Sequence, residues 1–151
     1  MDKKEFAAIM DAAIAAEVES YEFYRDVAAK VTDAGLKKIF QDCADEEKGH
    51  KIALETIKLK DVETFSFKVG ADYNIAATIE LPRLSLDMKP ADAVALAMKK
   101  EEEAMKMYSC LAECTDDTAV KKVYTELAKM EEGHKEKMEG IYTATAFPEV
   151  W

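Results

Sequence analysis

Few residues in this sequence interrupt helices, since only five glycines and three prolines occur among 151 residues. Alanine, glutamate, lysine and methionine are abundant, and this balance favours helix over sheet. The length suits one domain with a substantial core. Since the N-terminal segment is amphipathic and acidic, and no apolar run could span a bilayer, we expect neither a signal peptide nor a transmembrane helix.

Cysteine and histidine are also scarce, and the 31 acidic residues outnumber the 21 lysines and arginines. The formal net charge of −10 argues against nucleic acids and anionic membranes as partners. The three cysteines, Cys43, Cys110 and Cys114, form no CxxC pair, so a reducing, cytoplasmic location is predicted. Cys43 is interpreted as a small core residue, with thiol redox chemistry as the alternative. Cys110 and Cys114 share a helical face, which we interpret as a possible subunit contact.

Helical periodicity predicts four long helices in two pairs, with approximate bounds at 2–31, 32–59, 90–114 and 116–143. Short turns make each pair an antiparallel hairpin. Residues 60–89 lack sustained helical periodicity, apart from NIAATIEL, which is compatible with a short helix. The expected fold is all-α, a four-helix bundle in a single domain (1–151), in which a long crossover joins hairpins 2–59 and 90–143.

The second hairpin repeats the first at a shift of 84 residues, without a gap. The identical pairs include Glu17 and Glu101, Tyr24 and Tyr108, Lys37 and Lys121, Lys38 and Lys122, Ala44 and Ala128, Glu47 and Glu131, Gly49 and Gly133, and His50 and His134. The two hairpins are therefore predicted to be copies of one unit, related by a pseudo-twofold axis.

Each predicted helix carries a glutamate in the middle of its apolar stripe, namely Glu17, Glu47, Glu101 or Glu131. A buried unpaired charge costs several kcal/mol, whereas a domain has only about 5–15 kcal/mol of stability. Either the carboxylates are protonated or cations accompany them, and two divalent ions would offset four negative charges. We favour the metal interpretation because the pattern recurs in both hairpins.

Other glutamates near the stripes fit this pattern less well. Glu19 and Glu103 lie about 200° around the helix from the stripe, so they are expected to face solvent. Glu46 precedes His50 by four residues, but the aligned residue in the second hairpin is Met130. The repeat therefore selects only the four stripe glutamates.

Both histidines follow a stripe glutamate with the spacing ExxH, which places a carboxylate and an imidazole one turn apart on one face. The six candidate metal ligands are Glu17, Glu47, His50, Glu101, Glu131 and His134. They predict two sites of mixed oxygen and nitrogen ligands with bridging carboxylates. Magnesium and calcium rarely take histidine, and structural zinc usually prefers cysteine or more histidine. Iron or manganese therefore fits best, with zinc as an adventitious occupant.

Four segments together resemble the ferritin-like di-iron carboxylate proteins, specifically the rubrerythrin group: EVESYEFY (17–24), EEKGH (46–50), EEEAMKMY (101–108) and MEEGH (130–134). The resemblance covers nearly the whole chain and implies a ferritin-like bundle whose four glutamates and two histidines hold two iron ions. It also implies an oxidoreductase that reduces hydrogen peroxide or activates dioxygen. A homodimer is expected, and the long crossover would allow hairpins to exchange between its two protomers.

The sequence departs from the rubrerythrin pattern at two points. These 151 residues contain no rubredoxin-like domain with two CxxC pairs, so electrons are expected from an external donor such as a rubredoxin-like protein. Rubrerythrins also carry an extra glutamate one turn after the third-helix ligand, where this chain has Ala104, and Ser20 at the repeat-related position. This difference weighs against efficient peroxide reduction and leaves ferrous-iron oxidation or storage as the alternative.

Tyr24 and Tyr108 lie two turns after Glu17 and Glu101 on the same helix faces. We favour core packing for both tyrosines, with each hydroxyl bonded to a buried carboxylate. The alternative is a redox role beside the metal ions, so the two tyrosines are the candidate catalytic residues.

Overall fold

The structure is a computed structural model that describes residues 1–60, 67 and 75–146. It contains four long helices, α1 (Lys3–Lys30), α2 (Ala34–Leu59), α3 (Pro90–Glu113) and α4 (Thr118–Ala146), and a short 3-10 helix, Ala76–Thr78. Since the described residues include no strand, the predicted all-α class with four helices is confirmed. Most of the first half of the crossover and the tail after residue 146 lie outside the described residues.

The chain divides into two compact units, residues 1–65 and 66–151. The first unit holds α1 and α2, and the second holds α3, α4 and the short 3-10 helix. The single domain over residues 1–151 stays a prediction.

In the first unit, side-chain caps and one ion pair define an antiparallel hairpin. Asp2 and Glu5 form a capping box at the start of α1, each side chain accepting from the backbone N–H of the other. Asp33 caps α2 by accepting from Leu36 N–H at 2.8 Å. Lys58 Nζ at the end of α2 pairs with Asp11 near the start of α1, so the two helices run in opposite directions.

The second unit repeats the caps and ring contacts of the first. Asp117, 84 residues after Asp33, accepts from Val120 N–H at 3.1 Å and so caps α4. Tyr24 stacks on Phe40 with ring centroids 6.2 Å apart in the first unit. Tyr108 stacks on Tyr124 at 6.4 Å in the second. Since these residues are also related by the 84-residue shift, the sequence repeat is a structural repeat of the hairpin.

Most residues of the predicted apolar stripes are buried, including Met10, Phe40, Leu54, Val94 and Leu127. The predicted stripes of the third and fourth helices end at Leu111 and Ile141, and these two residues are exceptions. Leu111 near the end of α3 is 38% exposed, and Ile141 near the end of α4 is 41% exposed. Both lie close to the C-terminal end of a helix.

Two buried carboxylates of α4 hold the described part of the crossover. Glu126 accepts from the backbone N–H of Phe67 at 2.9 Å, and Glu139 accepts from that of Ala76 at 2.7 Å. Lys99 on α3 donates to the carbonyl of Ala76 at 3.1 Å and pairs with Glu102 at 3.0 Å. The crossover is therefore fixed to the second hairpin through its backbone, which hydropathy patterning did not predict.

We expect Glu126→Ala to lower the free energy of unfolding by about 1–3 kcal/mol, because it removes a charged acceptor from Phe67 N–H and the partner of Lys129. Glu126→Gln, which keeps an acceptor, should cost less. Chemical denaturation at pH 7 would measure both losses. An effect of Glu126→Ala no larger than that of the exposed Glu103→Ala would contradict the anchoring role.

The same contacts make the stabilising contribution of Glu126 depend on pH. Burial raises the pKa of Glu126, but hydrogen bonds from Lys129 and from Phe67 N–H lower it by more, so the pKa lies below its usual value. The stabilisation is therefore present at neutral pH and is lost as the pH falls through this lowered pKa. The difference in stability between wild type and Glu126→Gln should shrink in the same acidic range.

Candidate metal centre

The first unit brings together three of the predicted ligands. Glu17 lies on α1, whereas Glu47 and His50 lie one turn apart on α2. His50 Nδ1 is 3.4 Å from a carboxylate oxygen of Glu17 and 3.7 Å from one of Glu47. Only 4% of Glu17 and 5% of Glu47 is exposed, so two carboxylates and an imidazole meet in the core of this hairpin.

The second unit contains the equivalent group. His134 Nδ1 is 3.2 Å from an oxygen of Glu131 on its own helix and 3.6 Å from an oxygen of Glu101 on α3. One ligating atom from each of these residues lies within 4.8 Å of the other two. Both glutamates are buried. The arrangement matches that of Glu17, Glu47 and His50, as the 84-residue repeat predicts.

The spacing of these atoms suits a shared metal ion. Ligand oxygen and nitrogen atoms lie about 2.0–2.2 Å from an ion such as zinc, so two neighbouring ligands of one ion are about 3–4 Å apart. The four distances from Nδ1 to carboxylate oxygens, 3.2–3.7 Å, fall in that range. Carboxylates combined with imidazole also suit iron and manganese better than magnesium or calcium. The residues present therefore fit the predicted ion, and their role as ligands stays a prediction.

The two candidate ligand groups differ in the residue that lies near the Nε2 atom of the histidine. His50 Nε2 lies 3.8 Å from an oxygen of Glu46, whose side chain is 34% exposed. The repeat-related residue of Glu46 is Met130, which is buried. A carboxylate behind a ligating histidine raises the basicity of the ring and fixes its orientation. Glu46, which the repeat argument set aside, therefore belongs to the surroundings of His50.

Both candidate catalytic tyrosines are buried in ring contacts. Tyr24 is 1% exposed and meets Phe23 edge-on, in addition to its stack on Phe40. Tyr108 is 5% exposed and stacks on Tyr124. These contacts support the core-packing interpretation, and a redox role stays a prediction.

Cys43 is buried one turn before Glu47. Burial raises the pKa of its thiol to about 12, and the nearby carboxylate of Glu47 adds to the effect. The thiolate, which is the nucleophilic form, is therefore disfavoured at neutral pH. The environment agrees with an inert core residue.

The solvent-facing assignments of Glu19 and Glu103 are confirmed, because both are exposed. Sequence patterning missed a second set of buried charged residues in the second unit, namely Glu102, Glu126, Lys135 and Glu139. The sequence gives little sign of these buried residues, because charged residues also flank the apolar stripes on every helix. The one indication was the crossover: it lacks helical periodicity, so its backbone N–H and C=O groups need hydrogen-bond partners elsewhere.

No helix in the described residues is both long and apolar enough to cross a membrane. Among solved structures, a hypothetical protein from Pyrococcus furiosus is similar over 93% of this chain and 89% of its own, with a TM-score of 0.50 and 25% sequence identity. No curated protein matches the sequence. The family model of rubrerythrin matches residues 2–58 and 92–147, which include all six candidate ligands. The chain therefore belongs to the rubrerythrin family.

Proposed function

We propose that the protein is a non-haem di-iron oxidoreductase that reduces hydrogen peroxide or activates dioxygen. The observation that carries this proposal is the duplicated group of two buried carboxylates around a histidine Nδ1. Membership of the rubrerythrin family supports the choice of iron and of redox chemistry. Two ferrous ions held by these groups would supply the two electrons that cleavage of an O–O bond requires.

The protein's own residues would hold and orient the reaction site. Glu17, Glu47 and His50 form one set of ligands, and Glu101, Glu131 and His134 form the other. Because all four carboxylates are buried, bulk water has little access to them. The stacked aromatic rings two turns further along the helices restrict movement of each hairpin core. Such rigid support holds ligands in one geometry.

Electrons would come from a separate donor, for which a rubredoxin-like protein is our proposal. The three cysteines of the sequence cannot form the four-cysteine iron site of a rubredoxin. One cysteine is also buried with a strongly raised pKa. We further propose that the protein forms a homodimer. Exchange of hairpins between the two protomers is one way to form it.

A second candidate function is ferrous-iron oxidation or storage without peroxidase turnover. The observation that favours it is Ala104, half-buried one turn after Glu101, in place of the additional glutamate that the rubrerythrin resemblance predicts. Without that carboxylate, the second hairpin offers the same set of candidate ligands as the first, namely two glutamates and one histidine.

Anaerobic reconstitution with ferrous iron separates these functions. Two bound ions per chain, oxidised faster by stoichiometric peroxide than by dioxygen, and repeated turnover with a reduced rubredoxin would support the peroxidase. One oxidation without turnover, or accumulation of many ferric ions in a large assembly seen by sizing, would favour the second candidate. Binding of iron without any oxidation would contradict both.

We expect Glu46→Met, which installs the residue of the second hairpin, to weaken ferrous-iron binding at the His50 group about 10-fold, because loss of a carboxylate behind a ligating histidine typically costs 10–100-fold. The reciprocal Met130→Glu should strengthen binding at the His134 group. Competition with a colorimetric ferrous chelator would measure both changes. Equal affinities in wild type and Glu46→Met would exclude this role of Glu46.

A further inference from the structure

We propose that Met107, Cys110 and Cys114 form a second metal site, specific for a soft monovalent ion, Cu(I). The three residues follow the spacing i, i+3, i+7 near the end of α3, which places one thioether and two thiols on one face. This sulfur face, defined by these three residues, is separate from the carboxylate and histidine groups. It is also independent of the proposed di-iron function.

All three sulfur residues are open to solvent. Met107 is 46% exposed, and Cys110 and Cys114 are exposed free cysteines. Their neighbours Tyr108 and Ala112 are buried, so α3 turns its packed side the other way. An exposed methionine beside two exposed cysteines contributes nothing to the core, but it presents three soft donors to a dissolved ion.

The last turn of α3 holds the two thiols at helical spacing. Cys114 N–H donates to the carbonyl of Cys110 at 3.0 Å, so the α-helical turn continues through Cys114. Side chains four residues apart on a helix are neighbours, so the two thiols can act together without any change in the backbone.

The same spacing favours an ion over a disulfide. Residues i and i+4 of a helix have Cβ atoms about 5–6 Å apart. A disulfide requires about 3.5–4.5 Å, so it would force the turn to unwind. An ion with metal–sulfur bonds of about 2.3 Å bridges the longer span. The helix thus presents a binding pair rather than a pair ready for oxidation.

The electrostatic surroundings also favour a cation. The C-terminal end of a helix carries partial negative charge, and the chain as a whole has a formal charge of −10. The neighbouring Cys110 and, to a smaller extent, Glu113 raise the pKa of the Cys114 thiol. Thiols bind metal ions as thiolates, so one Cu(I) displaces the thiol protons to form a bis-thiolate complex, without oxidation or reduction.

The sulfur face offers only sulfur ligands, and the type of ligand determines which ion binds there. Thiolate and thioether ligands select Cu(I), whereas magnesium, calcium and manganese prefer oxygen. A zinc site usually needs four strong ligands, and this face supplies two thiols and one weak thioether. Cu(I) accepts two or three sulfur ligands, so the set is complete for this ion.

The test is an anaerobic titration of the metal-free protein with Cu(I), against a chromophoric Cu(I) chelator. We expect one tightly bound Cu(I) per chain, near-ultraviolet sulfur-to-copper absorption, and release of two protons. Cys110→Ser and Cys114→Ser should each weaken binding by about 100-fold or more, and Met107→Leu by about 10-fold. Cys43→Ala, which changes only the buried cysteine, should bind as wild type does.

Unchanged Cu(I) affinity in Cys110→Ser would overturn the proposal, as would one ion shared by two chains. Circular dichroism of each serine variant checks that α3 is still folded, and exposed serines should leave the helices intact. Loss of two thiols to an intrachain disulfide under dilute peroxide, with no Cu(I) bound by the reduced protein, would also overturn it.

Discussion

Replacing one buried carboxylate of either group should reduce bound iron from two ions to at most one per chain. Glu101→Gln and Glu17→Gln keep the shape of the side chain but remove a negative ligand within 3.6 Å of a histidine Nδ1. Loss of a supporting residue behind a ligand already costs 10–100-fold in metal affinity or activity, so loss of the ligand should slow peroxide-driven oxidation by at least about 100-fold.

The repeat supplies matched controls for this experiment. Glu103→Gln and Glu19→Gln make the same chemical change two residues further along the same helices, where both side chains are exposed. Iron content after anaerobic reconstitution and stopped-flow oxidation with peroxide would be measured for all four variants. The carboxylate assignment fails if the exposed and buried substitutions reduce iron content equally, or if Glu101→Gln still binds two ions.

The sequence contained enough information to predict the four helices and the residues of both candidate ligand groups. Helix bounds followed from hydrophobic periodicity, and the structure shows that Asp2 and Asp33 cap the starts of α1 and α2; both effects act within a few residues. The pairing of Glu47 with His50, and of Glu131 with His134, followed from helical spacing. The repeat then indicated Glu17 and Glu101 as partners, and the structure places each beside the histidine of its own hairpin.

Interactions that depend on irregular backbone could not be predicted in the same way. Glu126 and Glu139 are buried because they accept from backbone N–H groups of the crossover, and that segment has no periodicity from which its path follows. Lys99 is similar, since its partner is the carbonyl of Ala76. The proximity of Glu46 to His50 was missed for a different reason, because the repeat argument selects only features that both hairpins share.

Removing a candidate ligand should raise the stability of the metal-free protein and lower that of the iron-bound protein. In the second unit, Glu101 and Glu131 both lie within 3.6 Å of His134 Nδ1, and both are buried. Without an ion, like charges held this close oppose folding. Glu131→Gln should therefore raise the unfolding free energy of the metal-free protein by about 1–2 kcal/mol, since it removes the repulsion between two buried carboxylates that share one site.

With ferrous iron bound, wild type should be more stable than Glu131→Gln. A ligand that binds only the folded state at 100 times its Kd stabilises it by about 2.7 kcal/mol, or roughly 5–10 °C in Tm for a chain of this size. Wild type should gain at least this shift per site, whereas Glu131→Gln should lose most of it at the His134 group. Anaerobic thermal melts of both proteins and of the control Glu103→Gln, with and without ferrous iron, would measure this reversal in Tm. If Glu131→Gln instead destabilised the metal-free protein and kept the full iron-induced shift, the buried carboxylate would be a structural hydrogen-bonding group rather than a ligand.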